Sequence, residues 1–153
     1  MSDIIEHLPV LERFCLNLNA KKVLELGVRD GESTKAFLKA LDITDGKLIS
    51  VDINNCSGVS NSGRWQFVQT DDTQFDFNEV IDILFIDSSH AFQHTLFELN
   101  KFGDLVRAGG VILLHDTNMQ TVMDAILEYL KTHPNYKFIN LKNCNGLGIL
   151  EKT

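Results

Sequence analysis

Four acids at the ends of short apolar runs constrain this chain more than any other feature. Lys22-Val-Leu-Glu-Leu-Gly27, Lys47-Leu-Ile-Ser-Val-Asp52, Asp82-Ile-Leu-Phe-Ile-Asp87 and Gly110-Val-Ile-Leu-Leu-His115 are compact runs of Val, Ile and Leu. Glu25, Asp52, Asp87 and Asp116 stand near or just past their carboxyl ends. Runs of this length without strict alternation read as strands buried on both faces, which a mostly parallel sheet covered by helices requires. In such a sheet the carboxyl ends of parallel strands share one edge, and ligands bind in the crevice outside it. The four acids are therefore expected to converge on one cleft. Any one of them could simply cap a following helix, but four together make capping a poor explanation.

The rest of the chain fills in the alternation. A short amphipathic helix is expected around Ile4 to Leu16, within a helical segment over residues 1–20. A second helix is expected from about Glu32 to Leu41, closed by the Asp45-Gly46 turn. Residues 54–64 are rich in Asn, Ser and Gly and read as a loop where a helix would usually sit. Trp65-Gln-Phe-Val-Gln69 then alternates as a strand. A helical segment containing Phe92, Leu96, Leu99, Phe102 and Leu105 separates the Asp82 and Gly110 strands, and a last helix covers roughly Gln120 to Lys131. Asn145-Gly146, between Tyr136 to Leu141 and Leu147 to Glu151, is a strong hairpin signal. The whole, residues 1–153, reads as a single α/β domain, doubly wound and mostly parallel, ending on a hairpin.

Composition bounds the partners. With 153 residues and 44% hydrophobic content, one core forms without staples. The formal net charge of −7 argues against nucleic-acid and anionic-membrane surfaces, which need clustered Lys and Arg, and favours a small-molecule substrate. Cys15, Cys56 and Cys144 form no C-x-x-C pair and read as reduced thiols of a cytoplasmic protein. No basic region precedes the first apolar residues, and no uncharged run reaches the roughly 18 residues of a membrane span, so neither export nor insertion is expected.

Gly27-Val-Arg-Asp-Gly31 joins the first strand to a helix, where glycines permit a tight turn and close approach of a ligand. It lacks the G-x-G-x-x-G spacing with which dinucleotide enzymes receive a pyrophosphate, which counts against a nicotinamide-dependent oxidoreductase. Asp52 can accept two hydrogen bonds from a ribose diol, as any nucleoside-bearing cofactor would use.

Taken together, Val23-Leu-Glu-Leu-Gly-Val-Arg-Asp-Gly-Glu-Ser-Thr34, Ile49-Ser-Val-Asp52 and Ile81-Asp-Ile-Leu-Phe-Ile-Asp-Ser-Ser-His90 resemble the class I S-adenosylmethionine methyltransferases. With Leu105-Val-Arg-Ala-Gly-Gly-Val-Ile-Leu-Leu-His-Asp116, the chain is most similar to small O-methyltransferases of the catechol, caffeoyl-CoA and antibiotic-sugar kinds. The resemblance implies a seven-stranded Rossmann-like sheet with the last strand antiparallel, S-adenosylmethionine as cofactor and O-methylation of a small hydroxylated acceptor. It places Glu25, Gly27 and Gly31 around the methionine part, Asp52 on the ribose and Asp71, or Asp72 one register on, beside the adenine. Asp87 and Asp116 match the aspartates that hold a divalent metal in one branch, and Thr117 falls where that branch often has Asn.

Two aspartates, a neutral oxygen and waters would suit magnesium, which would lower the pKa of a substrate hydroxyl and fix its angle to the methyl group. His90 falls where the catechol-type enzymes have a lysine base, and is the expected general base, against a purely capping role. His115 is read as facing the core or a neighbouring strand rather than a metal. His94 and His133, with no partner at ligand spacing, are expected at the surface or its boundary. Phe75, Phe77, Phe92, Phe97 and Phe102 read as packing aromatics, with Trp65 and Phe92 retained as substrate contacts. A non-enzymatic module is the alternative, because the chain has little before the first strand or the last hairpin from which to build an acceptor lid. A partner subunit or a homo-oligomer could complete the pocket.

Overall fold

The computed structural model describes residues 2–153 as one seven-stranded sheet between two helical layers. In chain order the elements are α1 (Leu8–Asn17, after a 3-10 turn over Ile5–His7), β1 (Lys22–Leu26), α2 (Glu32–Thr44), β2 (Lys47–Asp52), β3 (Trp65–Gln69), β4 (Ile81–Ile86), α3 (Phe92–Phe102), β5 (Val106–His115), α4 (Gln120–Thr132), β6 (Tyr136–Leu141) and β7 (Leu147–Lys152). The sheet order is β3-β2-β1-β4-β5-β7-β6. All pairs are parallel except β5 with β7 and β7 with β6. The order reverses between β1 and β4, so the crevice where a doubly wound sheet takes its ligand lies at their carboxyl ends.

Alternation along each strand divides the core in two. Leu24, Leu26, Leu84, Ile86, Ile112 and Leu114 pack with Leu99 and Phe102 of α3 and Ile126 and Tyr129 of α4. Val23, Ile83, Phe85, Val111 and Leu113 pack with Leu11 and Cys15 of α1 and Phe37 and Leu41 of α2. The same period of two puts Glu25, Ser50 and His115 on the α1/α2 side, which decides what each can touch.

Two elements differ from the sequence reading. β5 begins at Val106, earlier than Gly110, because its pairing with β4 skips from Ile81↔Val106 to Ile83↔Val111. Gly109, at φ +79°, absorbs this bulge, so a continuous strand carries a turn's composition. α2 runs on to Thr44 before Asp45 takes the left-handed conformation at φ +59° that ends it. The β2–β3 connection, residues 53–64, is an irregular loop as expected. Among the described residues no helix is long and apolar enough to cross a membrane.

Candidate active site

A cleft of about 400 Å³ opens at the carboxyl ends of β1, β2 and β4, walled in part by Gly27, Asp52, Asp71, Asp72, Asp87 and His94. The glycine turn fixes its floor. Gly27 sits at φ +94°, and a Cβ there would overlap the carbonyl oxygen of Asp87, so only glycine lets the β1 turn lie against the end of β4. Gly31, at φ +78°, instead makes room for the side chain of Val59 and lies off the cleft wall.

Asp52 holds the turn from the β2 side. Its Oδ2 accepts from the amides of Val28 (2.8 Å) and Arg29 (3.2 Å), and its Oδ1 from Asn54 N (2.8 Å). Burial works to raise this carboxyl, but those amides outweigh it and hold it below the usual carboxylate range. Asp52 is thus an anion on the cleft wall with its loop already organised around it.

Glu25 lies beneath the cleft and is fully buried. Its Oε1 accepts from the Ser33 hydroxyl (2.6 Å), and its Oε2 from Thr34 (2.7 Å) and Ser50 (2.5 Å). Burial pushes its carboxyl up to about 7, against the three hydroxyl bonds that favour the anion. Glu25 therefore ties β1 and β2 to the first turn of α2 and does not line the cleft as the resemblance implied.

Asp87, His90, His115 and Asp116 cluster where β4 and β5 end. His90 Nε2 lies 2.7 Å from Asp116 Oδ2 and 4.0 Å from Asp87 Oδ1, and His115 Nδ1 lies 3.5 Å from Asp87 Oδ1 and 3.4 Å from Asp116 Oδ2. Although both nitrogens are close to carboxylates, neither makes an aligned hydrogen bond. Burial works to raise the Asp87 carboxyl, but the imidazoles of His115 and His90 hold it well below its ordinary range. The Asp87 carboxylate in turn raises His90. His115 faces the α1 side as its register dictates. Its Nε2 meets Cys144 O (3.0 Å), and its ring stands edge-on to buried His7 at 5.7 Å. Asp116 is 93% buried and holds φ +60°, a conformation that costs a non-glycine residue roughly 1 kcal/mol or more and is retained where the surroundings impose it.

Three expected residues are placed otherwise. Thr117 donates to Asn140 Oδ1 of β6 (2.6 Å), so its hydroxyl anchors the hairpin, and the third side chain beside Asp87 and Asp116 is His90. Trp65 lies at the opposite, amino edge of the sheet and donates to Ser50 Oγ (2.9 Å), far from the role of substrate contact. His94, expected to have no partner, stands on the cleft wall 2.9 Å from Asp72 Oδ1 and 3.5 Å from Glu98 Oε1. The His94/Glu98 spacing of four on one helix was visible in the sequence, but its convergence with Asp72, after β3, depends on the sheet. Of the register pair, Asp71 and Asp72 both reach the cleft. Asp71 is exposed and caps a 3-10 turn by accepting from Thr73 N (2.9 Å).

A family model described as a methyltransferase domain matches residues 24–117, the span from β1 through the acid cluster. The chain belongs to the methyltransferase-domain family. The matched span holds every side chain that lines the domain's cleft. Solved structures extend the likeness over nearly the whole chain. An O-methyltransferase from Bacillus cereus in complex with SAH matches at 16% identity over 97% of this chain and 81% of that one, with a TM-score of 0.75. The N-methyltransferase NodS from Bradyrhizobium japonicum, in complex with S-adenosyl-L-homocysteine, matches at 14% identity over 98% and 87%, with a TM-score of 0.71. MycE methyltransferase of the mycinamycin biosynthetic pathway, in complex with Mg, SAH and mycinamycin VI, matches at 20% identity over 94% of this chain and 48% of that one, with a TM-score of 0.72. A search of the curated proteins finds no match. The methyltransferase domain shares with these structures the class I fold of its sheet, antiparallel hairpin included.

Proposed function

We propose that the chain is an S-adenosylmethionine-dependent methyltransferase that methylates a hydroxyl oxygen of a small acceptor. The observation that carries this reading is the single cleft at the β1/β2/β4 ends, in which the Gly27 turn, the Asp52 anion and the Asp87 end of the acid cluster meet. S-adenosylmethionine supplies an electrophilic sulfonium methyl group. Asp52, whose two oxygens are already turned toward amides of the cleft loops, is suited to a ribose diol. Gly27 seats the β1 turn against the end of β4 on the cleft floor, and Glu25 ties that floor to α2 from beneath. Asp71, on the same wall, would serve the adenine, as the resemblance implies. Asp52, Asp71 and Asp87 give the cleft a negative field that favours a sulfonium cation.

The acid cluster supports the acceptor chemistry. Facing atoms of Asp87 and Asp116 lie within 4.8 Å of each other and of the His90 ring, so the carboxylate pair fits a divalent cation with the imidazole beside the ion rather than bound to it. Asp87 and Asp116 would hold it, and the ion would lower the pKa of the acceptor hydroxyl. His90 Nε2 is placed to take the hydroxyl proton, and Asp116 then stabilises the imidazolium.

Calorimetric titration with S-adenosylmethionine and S-adenosylhomocysteine, with and without Mg²⁺, tests the reading. Both ligands should bind, and Asp87→Ala with Asp116→Ala should remove any Mg²⁺ dependence of turnover on hydroxylated acceptors. Absence of binding by either ligand would overturn the cofactor assignment. Full turnover in both variants would overturn the metal-assisted step.

A further inference from the structure

The second cluster of titratable side chains lies on the far wall of the same cleft and has no part in the chemistry above. Asp72, in the 3-10 turn after β3, faces His94 and Glu98, which lie one turn apart on α3. Glu98 is fully buried and Asp72 is 92% buried. Burial raises the Glu98 carboxyl, and the Glu98 carboxylate in turn raises His94.

Two carboxylates are thus withdrawn from water around one imidazole. Asp72 Oδ1, His94 Nε2 and Glu98 Oε2 are all buried without a hydrogen-bond partner. His94 Nε2 and Asp72 Oδ1 face each other as an unaligned ion pair, whereas Glu98 Oε2 has no partner at all, and a ligand that binds all three side chains relieves the cost of their burial. The spacing indicates which. One ligand atom from each of Asp72, His94 and Glu98 lies within 4.8 Å of the other two, with His94 Nε2 2.9 Å from Asp72 Oδ1, and atoms bound to a first-row cation at about 2.0–2.2 Å stand roughly 3–3.5 Å apart. Ser88 Oγ donates to Glu98 Oε1 and orients the carboxylate, as partners of metal-binding carboxylates do.

We propose that Asp72, His94 and Glu98 form a binding site for a divalent transition cation, with Zn²⁺ the best match to one imidazole and two carboxylates. The ion clamps the turn after β3 onto α3. It is separate from any ion at Asp87 and Asp116, and the proposal does not rest on the methyl-transfer reading.

Zn²⁺ titration of the full chain provides the test, followed by calorimetry and by the ring-proton NMR signals of His94. In the Asp87→Asn/Asp116→Asn variant, which lacks the first acid cluster, one equivalent of Zn²⁺ should still bind, shift the His94 resonances to saturation and raise the unfolding temperature. Adding His94→Gln to that variant should weaken binding at least about tenfold and remove the thermal shift, as should Asp72→Asn on the other element. The proposal is overturned if Zn²⁺ leaves the His94 resonances of the wild-type chain unmoved. It is equally overturned if the His94→Gln addition changes neither stoichiometry nor affinity.

Discussion

At the scale of single residues, Asp52 and Glu25 show how one residue class comes to play two parts. Both are acids near the ends of neighbouring parallel strands, but Asp52 lines the cleft, whereas Glu25 points into the α1/α2 layer to meet three hydroxyls. Asp52→Asn keeps one acceptor oxygen and loses the charge. It should weaken binding of S-adenosylhomocysteine by about 10- to 100-fold, corresponding to the ~1.5–3 kcal/mol of a charge-assisted hydrogen bond, and calorimetry reads it directly. An unchanged dissociation constant would remove Asp52 from the ribose. His90→Ala should lower turnover far more than acceptor affinity and flatten the basic rise of the pH–rate profile; an unaltered profile would leave His90 a structural neighbour of Asp116. Asp52 and Asp87 share one cleft, as strand ends led one to expect, while Asp116 sits behind Asp87 and Glu25 beneath the floor. Glu25's burial was not legible in the sequence, although its hydroxyl partners Ser33, Thr34 and Ser50 were in plain view, because a polar residue acquires a partner only when register is fixed.

At the scale of elements, the hairpin carries more of the site than its sequence suggests. The turn between β6 and β7 is where Cys144 O meets His115 and where Asn145 O accepts from Asn118 N, so the hairpin braces the end of β5. Thr117 is the link between them, through Asn140. Thr117→Val removes that bond while keeping the shape. It should cost about 1–2 kcal/mol, or a few degrees in unfolding temperature, and leave Mg²⁺ affinity unchanged. A loss of Mg²⁺ affinity without loss of stability would return Thr117 to the ligand role that the family resemblance gave it. Trp65–Gln69 and Tyr136–Leu141 were readable to the residue, because alternation and the Asn-Gly turn specify them locally. The first residues of β5 were not readable, since Ala108-Gly-Gly110 has a turn's composition and only pairing with β4 keeps it in the sheet. The pairing of His94 with Asp72 was hidden for the same reason, as it joins elements that the sheet alone brings together.

At the scale of the whole molecule, Glu25 couples the cleft floor to the pH dependence of folding. Its carboxyl ionises near 4.5 in the open chain and near 7 in the folded one, because burial penalises the anion more than three hydroxyls relieve it. A folded-state pKa above the unfolded value means that the native state holds a proton the unfolded state has released. The stabilisation is therefore complete below about pH 4.5 and is lost as pH rises through 7. At about 1.4 kcal/mol for each pH unit separating the two values, the loss approaches about 3 kcal/mol. Groups elsewhere in the chain tilt the curve as well, so the informative quantity is a difference. Denaturant midpoints measured from pH 4.5 to 8 should show the wild-type chain losing stability relative to Glu25→Gln by about that amount, with the steepest fall between pH 5 and 7. Because glutamine does not titrate, a constant difference across the range would mean that Glu25 stays ionised in the folded chain. The three hydroxyls would then hold β1, β2 and α2 together around a buried anion, and the cleft floor would carry a permanent negative charge beneath the Gly27 turn.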